Sequence, residues 1–278
     1  MSLHYPAARR PGHHLVVGPG DSPLRLLSFS LVALEIGEQW EFELGAEEAV
    51  IVVLGGRCHV SGSAGPKARA GGFSWKGIGR RENVFAGRAT CVYLPPGSRG
   101  QIEAVSPLAA AVCTAPAPDG APATLIRPEE VGVRQVGSDN WQREVHDLVG
   151  AGFPAARLLV GETFNPPGNW SSYPPHKHDE GGEGETELEE VYYFRVEPRQ
   201  GFALQRVYPA SGGRGEALVI EDGDTVVIPS GYHPVVAAPG YRIYYLWMLA
   251  GEERRVEARD DPRHAWMRRQ EQEGGGQR

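Results

Sequence analysis

Hydrophobic positions in this chain recur every second residue, not every third or fourth. Residues 40–44 read Trp-Glu-Phe-Glu-Leu, a strict alternation that marks a strand with one face in a core. Residues 202–208 alternate in the same way, so Leu204 and Arg206 share one face and Gln205 and Val207 the other. Residues 26–34, 89–94, 158–164 and 241–251 read as further strands. Residues 49–54, Ala-Val-Ile-Val-Val-Leu, form an unbroken apolar run ending at Gly55-Gly56. That run predicts a buried strand, with residues 57–60 returning as the second arm of a hairpin. No long segment sustains a helical period. With 37 glycines and 23 prolines to supply turns, the expected fold is all-β, a sandwich or barrel of short strands.

The strand at 89–94 runs into Pro95-Pro96-Gly97, and a later one runs into Pro229-Ser230-Gly231. Two such halves predict a duplicated barrel. The expected division is residues 1–120, residues 121–270 and a polar tail at 271–278. Residues 1–14 read as an arm without a core of its own, with His13 and His14 on opposite faces and at the surface. Residues 116–130 are rich in Pro, Ala and Gly and suit a stiff connection. Ser138-Asp139-Asn140 suits a turn, where Arg134 and Arg143 either fix the loop or bind an anion. Residues 260–266 read as a capped turn into a short helix.

The densest chemistry lies in the second half. His176 and His178 are two apart on an extended segment, so both imidazoles face one way. Glu189 and Glu190 open the apolar strand that follows. Gly223-(x5)-Pro229-x-Gly231-x-His233 turns a strand tightly and ends on a third imidazole. Three imidazoles and one carboxylate suit one divalent ion, zinc first, with Mn, Fe or Ni as alternatives. The first half has no His-x-His, Ser98-Arg99-Gly100 stands where the second places His233, and His59 is isolated. The first barrel is therefore expected to be metal-free. Residues 179–187 are acidic and Gly-rich, an excursion whose carboxylates are expected in solvent. Cys58, Cys91 and Cys113 are widely spaced and read as buried thiols.

Charge narrows the partners. The net charge is −7, and no basic cluster alternates with aromatics, so nucleic acid is not an expected partner. No run of eighteen apolar residues and no signal-peptide core are present. The expectation is a cytoplasmic protein with a small-molecule substrate, no membrane partner, and self-association possible.

These motifs resemble those of the cupin superfamily. Two spacings depart from its usual pattern: the gap from His178 to Glu190 is long, and one residue separates Gly231 from His233. Both departures, with Gly137-x-Asp139-Asn140-Trp141-x-Arg143 and the run from Asn165 through His178, are similar to the 5-deoxy-glucuronate isomerase family of inositol degradation. The resemblance covers most of residues 134–266 by motif, and the first half by architecture. It implies a metal-dependent aldose–ketose isomerisation of 5-deoxy-D-glucuronate to 5-dehydro-2-deoxy-D-gluconate, with His176, His178, Glu190 and His233 as ligands. Trp247 stands where that family usually has Asn. The related uronate isomerase of pectin breakdown, a cupin Fe(II) oxygenase and a non-catalytic sugar-binding cupin are the alternatives.

For such a reaction Glu190 and Tyr192 are the candidate catalytic groups, sharing a face with Phe194. The opposite orientation would put Glu189, Val191 and Tyr193 inside; the resemblance favours Glu190. The base itself stays open between a metal-bound hydroxide, a non-ligand carboxylate and a tyrosinate. The uronate carboxylate needs a cation. Arg206 and Lys177 are candidates, with Tyr244 as a further substrate contact and Arg195, Arg242 and Arg143 as alternatives.

Overall fold

The apolar run at 49–54 becomes the middle of a sheet. In the computed structural model, which describes residues 1–8, 10–65 and 71–268, the first half holds β1 (His4–Tyr5), β2 (Gly12–Val17), β3 (Ser28–Leu34), β4 (Gln39–Glu43), β5 (Glu47–Gly55), β6 (Cys58–Ser63), β7 (Gly72–Ile78), β8 (Thr90–Leu94), β9 (Arg99–Ala104) and β10 (Leu108–Pro116). The second holds β11 (Thr124–Ile126), β12 (Gly132–Val136), β13 (Arg143–Val149), β14 (Leu159–Asn165), β15 (Trp170–Ser171), β16 (His176–Lys177), β17 (Glu189–Glu197), β18 (Ala203–Val207), β19 (Glu216–Ile220), β20 (Thr225–Ile228), β21 (Val235–Ala237), β22 (Arg242–Ala250) and β23 (Arg259–Asp260).

The duplication holds for every strand of the first unit's two sheets, with β12 an extra edge strand in the second. One sheet of the first unit runs β11-β8-β5-β10-β3-β2, and its counterpart runs β1-β20-β17-β22-β14-β13-β12. The smaller sheets run β4-β9-β6-β7 and β15-β21-β18-β19. Pro95-Pro96-Gly97 and Pro229-Ser230-Gly231 both join the strand pairs that correspond, β8 to β9 and β20 to β21. Both turns carry glycine in the left-handed region, Gly97 at φ 78° and Gly231 at φ 91°.

The hairpin expected after residue 54 does not form. β5 pairs with β8 and β10, whereas β6 pairs with β7 and β9 in the facing sheet. Gly55-Gly56 carries the chain between sheets because β5 needs both of its neighbours from elsewhere. Its side chains are buried on both faces: Val50 and Val52 pack into the layer between the two units, Ile51 and Val53 into the first unit's own interior. A strand buried on both faces reads as a continuous apolar run, without alternation.

The division near residue 120 is crossed twice. The arm at the N-terminus is not free: β1 adds to the second unit's sheet beside β20, and His4 Nε2 lies 2.7 Å from Asp224 Oδ2. Reciprocally, β11, inside the Pro-rich connection, adds to the first unit's sheet beside β8. Two buried carboxylates cross in the same reciprocal way. Glu48 on β5 accepts the main-chain N–H groups of Ala156, Arg157 and Leu158 at 2.6–2.8 Å and the Tyr93 hydroxyl at 2.7 Å. Glu189 on the equivalent β17 accepts the N–H groups of Arg25, Leu26 and Leu27. Each unit thus holds the loop that leads into the other unit's β3 or β14.

The three cysteines are buried and unpaired, and burial pushes the Cys58 thiol up to about 12. His13 stacks on Trp40 at 4.5 Å. Asp261 caps the turn after β23 by accepting the Arg263 N–H at 2.9 Å. The tail at 271–278 lies outside the described residues.

Candidate metal centre and active site

The segment that carries two of the imidazoles is longer than its counterpart in the first unit. Residues 44–46 connect β4 to β5 in the first unit, but residues 172–188 connect β15 to β17 in the second. This longer connection carries His176 and His178. It is held from outside: β16 pairs with β23, and the Asp261 N–H donates to Pro175 O at 2.7 Å. Arg99 occupies the first-unit position that corresponds to His233, two residues past the turn glycine.

Parity along β17 decides between the two glutamates. Tyr192 and Phe194 pack in the interior of the second unit, whereas Val191 and Tyr193 pack in the layer between units. Glu190 therefore faces the interior, and Glu189 is committed to the N–H groups of residues 25–27. Ligand atoms of His178, Glu190 and His233 lie within 4.8 Å of one another. Glu190 Oε2 is 3.2 Å from both His178 Nε2 and His233 Nε2. The His176 ring stands 5.0 Å from that of His233 and 6.3 Å from that of His178, centroid to centroid.

Each imidazole is held by a main-chain carbonyl at Nδ1: His176 by Pro174 at 3.2 Å, His178 by Leu188 at 2.9 Å and His233 by Gly231 at 2.9 Å. Nδ1–H donation to a carbonyl selects the tautomer that leaves an Nε2 lone pair facing inward, as metal-binding histidines require. His233 Nε2 is buried without a well-formed hydrogen bond. Burial and its neighbours His233 and His178 push His176 well below the usual imidazole range. Burial would raise Glu190, but the His178 and His233 imidazoles, each with Nε2 3.2 Å from its Oε2, outweigh it and bring the carboxyl to about 2. The set fits a divalent cation: neutral nitrogens, one ionised carboxylate and prearranged orientations.

A cavity of 460 Å³ opens on this cluster, lined by His176, His178, Glu190, Tyr192, Arg143 and Trp247 among others. Ser172, at φ 50°, places its hydroxyl 2.8 Å from the Tyr192 hydroxyl. Such left-handed non-glycine residues concentrate at functional sites. Burial, then the charge of Glu190, pushes the Tyr192 phenol well above its ordinary value. The Trp247 ring lies against Gly161, where an added Cβ would come 2.1 Å from Cζ2. Glycine there makes room for the indole in the wall.

Three expected substrate contacts lie elsewhere. Arg206 is exposed; its side chain bonds to the carbonyls of Arg214 and Gly213 and lies 3.9 Å over the Tyr208 ring. On β18 the inward residues are Ala203, Gln205 and Val207, so the face that Arg206 shares with Leu204 is the wet one. Tyr244 is on the outward face of β22, bonded to Glu162 Oε1 at 2.9 Å beside Arg81 in the layer between units. Tyr245, one residue on, faces the cavity.

Lys177 points away from its flanking imidazoles. Its Nζ is 2.6 Å from Asp179 and 2.8 Å from Glu185, so two carboxylates of the acidic excursion are not in solvent. Asp179 also accepts the Gly231 N–H at 2.6 Å. This network joins the His176–His178 segment to the His233 turn. Lys177→Met is expected to cost about 3 kcal/mol, because Asp179 loses its cation and Glu185 keeps only Arg259 at 3.4 Å, and to weaken metal binding roughly 10–100-fold. Thermal melts and metal titration check it; unchanged values for both would show that the network orients nothing.

Two units of this topology, the second with His178, Glu190 and His233 clustered in its interior and the His176 ring beside that of His233, define a duplicated cupin. The chain belongs to the KduI/IolB family, whose model matches residues 3–267, and it is an isomerase, as its motifs suggest. It is 39% identical over 269 residues to a protein of Geobacillus thermodenitrificans named 5-deoxy-glucuronate isomerase, covering 96% of this chain and 94% of that one. A crystal structure of an IolB-like protein from Salmonella typhimurium LT2 superposes with a TM-score of 0.90 at 34% identity, covering 96% of this chain and all of that one. Oxalate decarboxylase of Lactobacillus farciminis shares the fold, with a TM-score of 0.65 at 11% identity, over 94% of this chain and 88% of that one. Among the described residues no helix is long and apolar enough to cross a membrane.

Proposed function

We propose that the protein is a metal-dependent aldose–ketose isomerase that converts 5-deoxy-D-glucuronate to 5-dehydro-2-deoxy-D-gluconate. The observation that supports the metal dependence is the set of three imidazoles, each tied at Nδ1 to a carbonyl, with Nε2 of His178 and of His233 both 3.2 Å from Glu190. The substrate follows from the relatives named 5-deoxy-glucuronate isomerase. His176, His178, Glu190 and His233 would hold the ion, zinc being the first choice for three nitrogens and one carboxylate, with Mn, Fe or Ni as alternatives. When bound, a divalent ion supplies Lewis acidity to the C1 and C2 oxygens of the open-chain sugar.

The reaction moves the C2 proton to C1, while the C2 hydroxyl becomes a carbonyl and the C1 carbonyl a hydroxyl. A base must take the C2 proton; Glu190, committed as a ligand and held at about 2, is a weak one. The carboxylate of Asp147, at the same cavity, is committed to Arg134 at 2.9 Å. Tyr192, kept protonated by burial, donates a hydrogen bond to the oxygen on which negative charge develops. The buried setting strengthens that interaction, because few waters compete.

The same ligands would serve an Fe(II) oxygenase, so the decisive assay is run without oxygen. Metal-loaded protein given 5-deoxy-D-glucuronate anaerobically is expected to form the 2-keto product with no loss of carbon. Turnover only in air, or binding without turnover, would replace the isomerase reading by one of its rivals.

A further inference from the structure

We infer that Arg143 is the anchor for the substrate carboxylate and makes the site selective for acidic sugars; this rests on the isomerase reading above and names the contact that reading lacks. Arg143 opens β13, and its side chain lines the cavity that holds His176, His178 and Glu190. It is 9% exposed. Its guanidinium is held only through Nη1, which donates to the carbonyls of Trp141 at 3.2 Å and Tyr173 at 3.4 Å. Among the described residues no carboxylate pairs with it. A buried cation without a counter-ion is costly unless something else neutralises it.

The other cations at this cavity or considered from the sequence are committed, apart from Arg206, which lies outside the cavity and bonds to main-chain carbonyls. Arg134, at the same cavity, pairs with Asp147. Arg195 pairs with Asp222, Arg242 with Glu197, and Lys177 with Asp179 and Glu185. Of those at the cavity, Arg143 alone has its charge unanswered, and Nε and Nη2 have no hydrogen-bond partner among the described residues. Those two donors are the adjacent pair that a carboxylate can bridge with two parallel hydrogen bonds.

The support of Arg143 is built. Gly137, at φ 82°, packs so closely that an added Cβ would lie 3.0 Å from Nη1. The Tyr173 carbonyl that holds it belongs to the segment leading into His176, so the anchor and the metal ligands share one piece of backbone. Tyr245 and Tyr192, with ring centroids 4.5 Å apart, lie in the same cavity wall. A sugar acid held at its carboxylate by Arg143 is thereby restricted to presenting its other end, the C1–C2 pair, to the metal ligands.

The test compares wild type, Arg143→Met and Arg143→Lys, metal-loaded, on 5-deoxy-D-glucuronate and on its neutral counterpart with CH₂OH in place of the carboxylate. Arg143→Met is expected to lower kcat/KM for the uronate on the order of 100-fold or more and for the neutral sugar by less than about 5-fold. Arg143→Lys keeps the charge without the fork, and should recover part of the loss on the uronate only. Titration calorimetry of the uronate against each protein gives the binding term separately. If wild type binds the uronate but does not turn it over, the isomerase reading fails, while loss of that binding in the variants still supports the anchor. If wild type does not bind the uronate, or if the variants keep wild-type uronate-over-neutral selectivity and affinity, the anchor assignment is overturned. Should Arg143→Met not fold, the selectivity of Arg143→Lys decides on the same criterion.

Discussion

His178→Ala is expected to lose metal and activity together while the two barrels stay folded. Metal sites of this kind bind with roughly 10–16 kcal/mol spread over four ligands, so one ligand carries a few kcal/mol, and affinity should fall by about 100-fold or more. Activity should fall by about 1,000-fold or more, since the Lewis acid stabilises the charge that develops on both oxygens. Stability should change little, because in the metal-free protein the imbalance is one hydrogen bond to Leu188 O and a neighbour to Glu190, about 1–2 kcal/mol. Metal content by emission spectroscopy, isomerase rate and a thermal melt are measured on one preparation. Full activity with one metal per chain would remove His178 from the site. Glu189→Gln separates the two adjacent glutamates: it should keep its metal, because that side chain serves the loop at residues 25–27.

The meeting of His178, Glu190 and His233 was legible in the sequence because its rules are local. His-x-His on extended backbone puts two imidazoles on one face whatever surrounds it, and Pro-x-Gly-x-His fixes a turn that only glycine fits. At Gly231 an added Cβ would meet Tyr208 O at 2.6 Å. What was not legible was which face of a strand is the inner one. β17 and β22 are buried on both sides, by the barrel interior and by the layer between units, so their apolar runs carry no parity. Tyr244 and Tyr245 therefore look alike in sequence, and only the sheet stacking separates them. β18 does alternate, but Leu204 sits on the exposed face and Gln205 on the buried one, which hides the direction of Arg206. The short strands β1 and β11 are invisible for another reason. Two or three residues give no period, and their pairing partners lie in the other half of the chain.

The reciprocal carboxylates should dominate the stability of the pair of units. Glu48→Ala removes one side chain and leaves the N–H groups of residues 156–158 and the Tyr93 hydroxyl without their acceptor. Water can restore only part of this, because Glu48 is fully buried. At about 1–3 kcal/mol for each stranded donor, the loss is expected to be on the order of 4 kcal/mol. For a chain of this size that lowers Tm by about 8–16 °C. Glu189→Ala should cost a similar amount through the loop at 25–27. The two clamps share no partner, so the double variant should add the two losses within about 0.5 kcal/mol. Glu48→Gln keeps an acceptor oxygen and should recover about half. The effect on catalysis differs between the clamps, because Glu189 is next to Glu190 in the proposed site and Glu48 lies in the other unit. Below its melting temperature, Glu48→Ala should turn over at close to the wild-type rate, while Glu189→Ala should also bind metal less tightly. Denaturant melts of the four variants measure the first expectation and metal titration the second. A loss under about 1 kcal/mol for Glu48→Ala would mean that the loop finds other acceptors, and that the two units are held by their apolar layer alone.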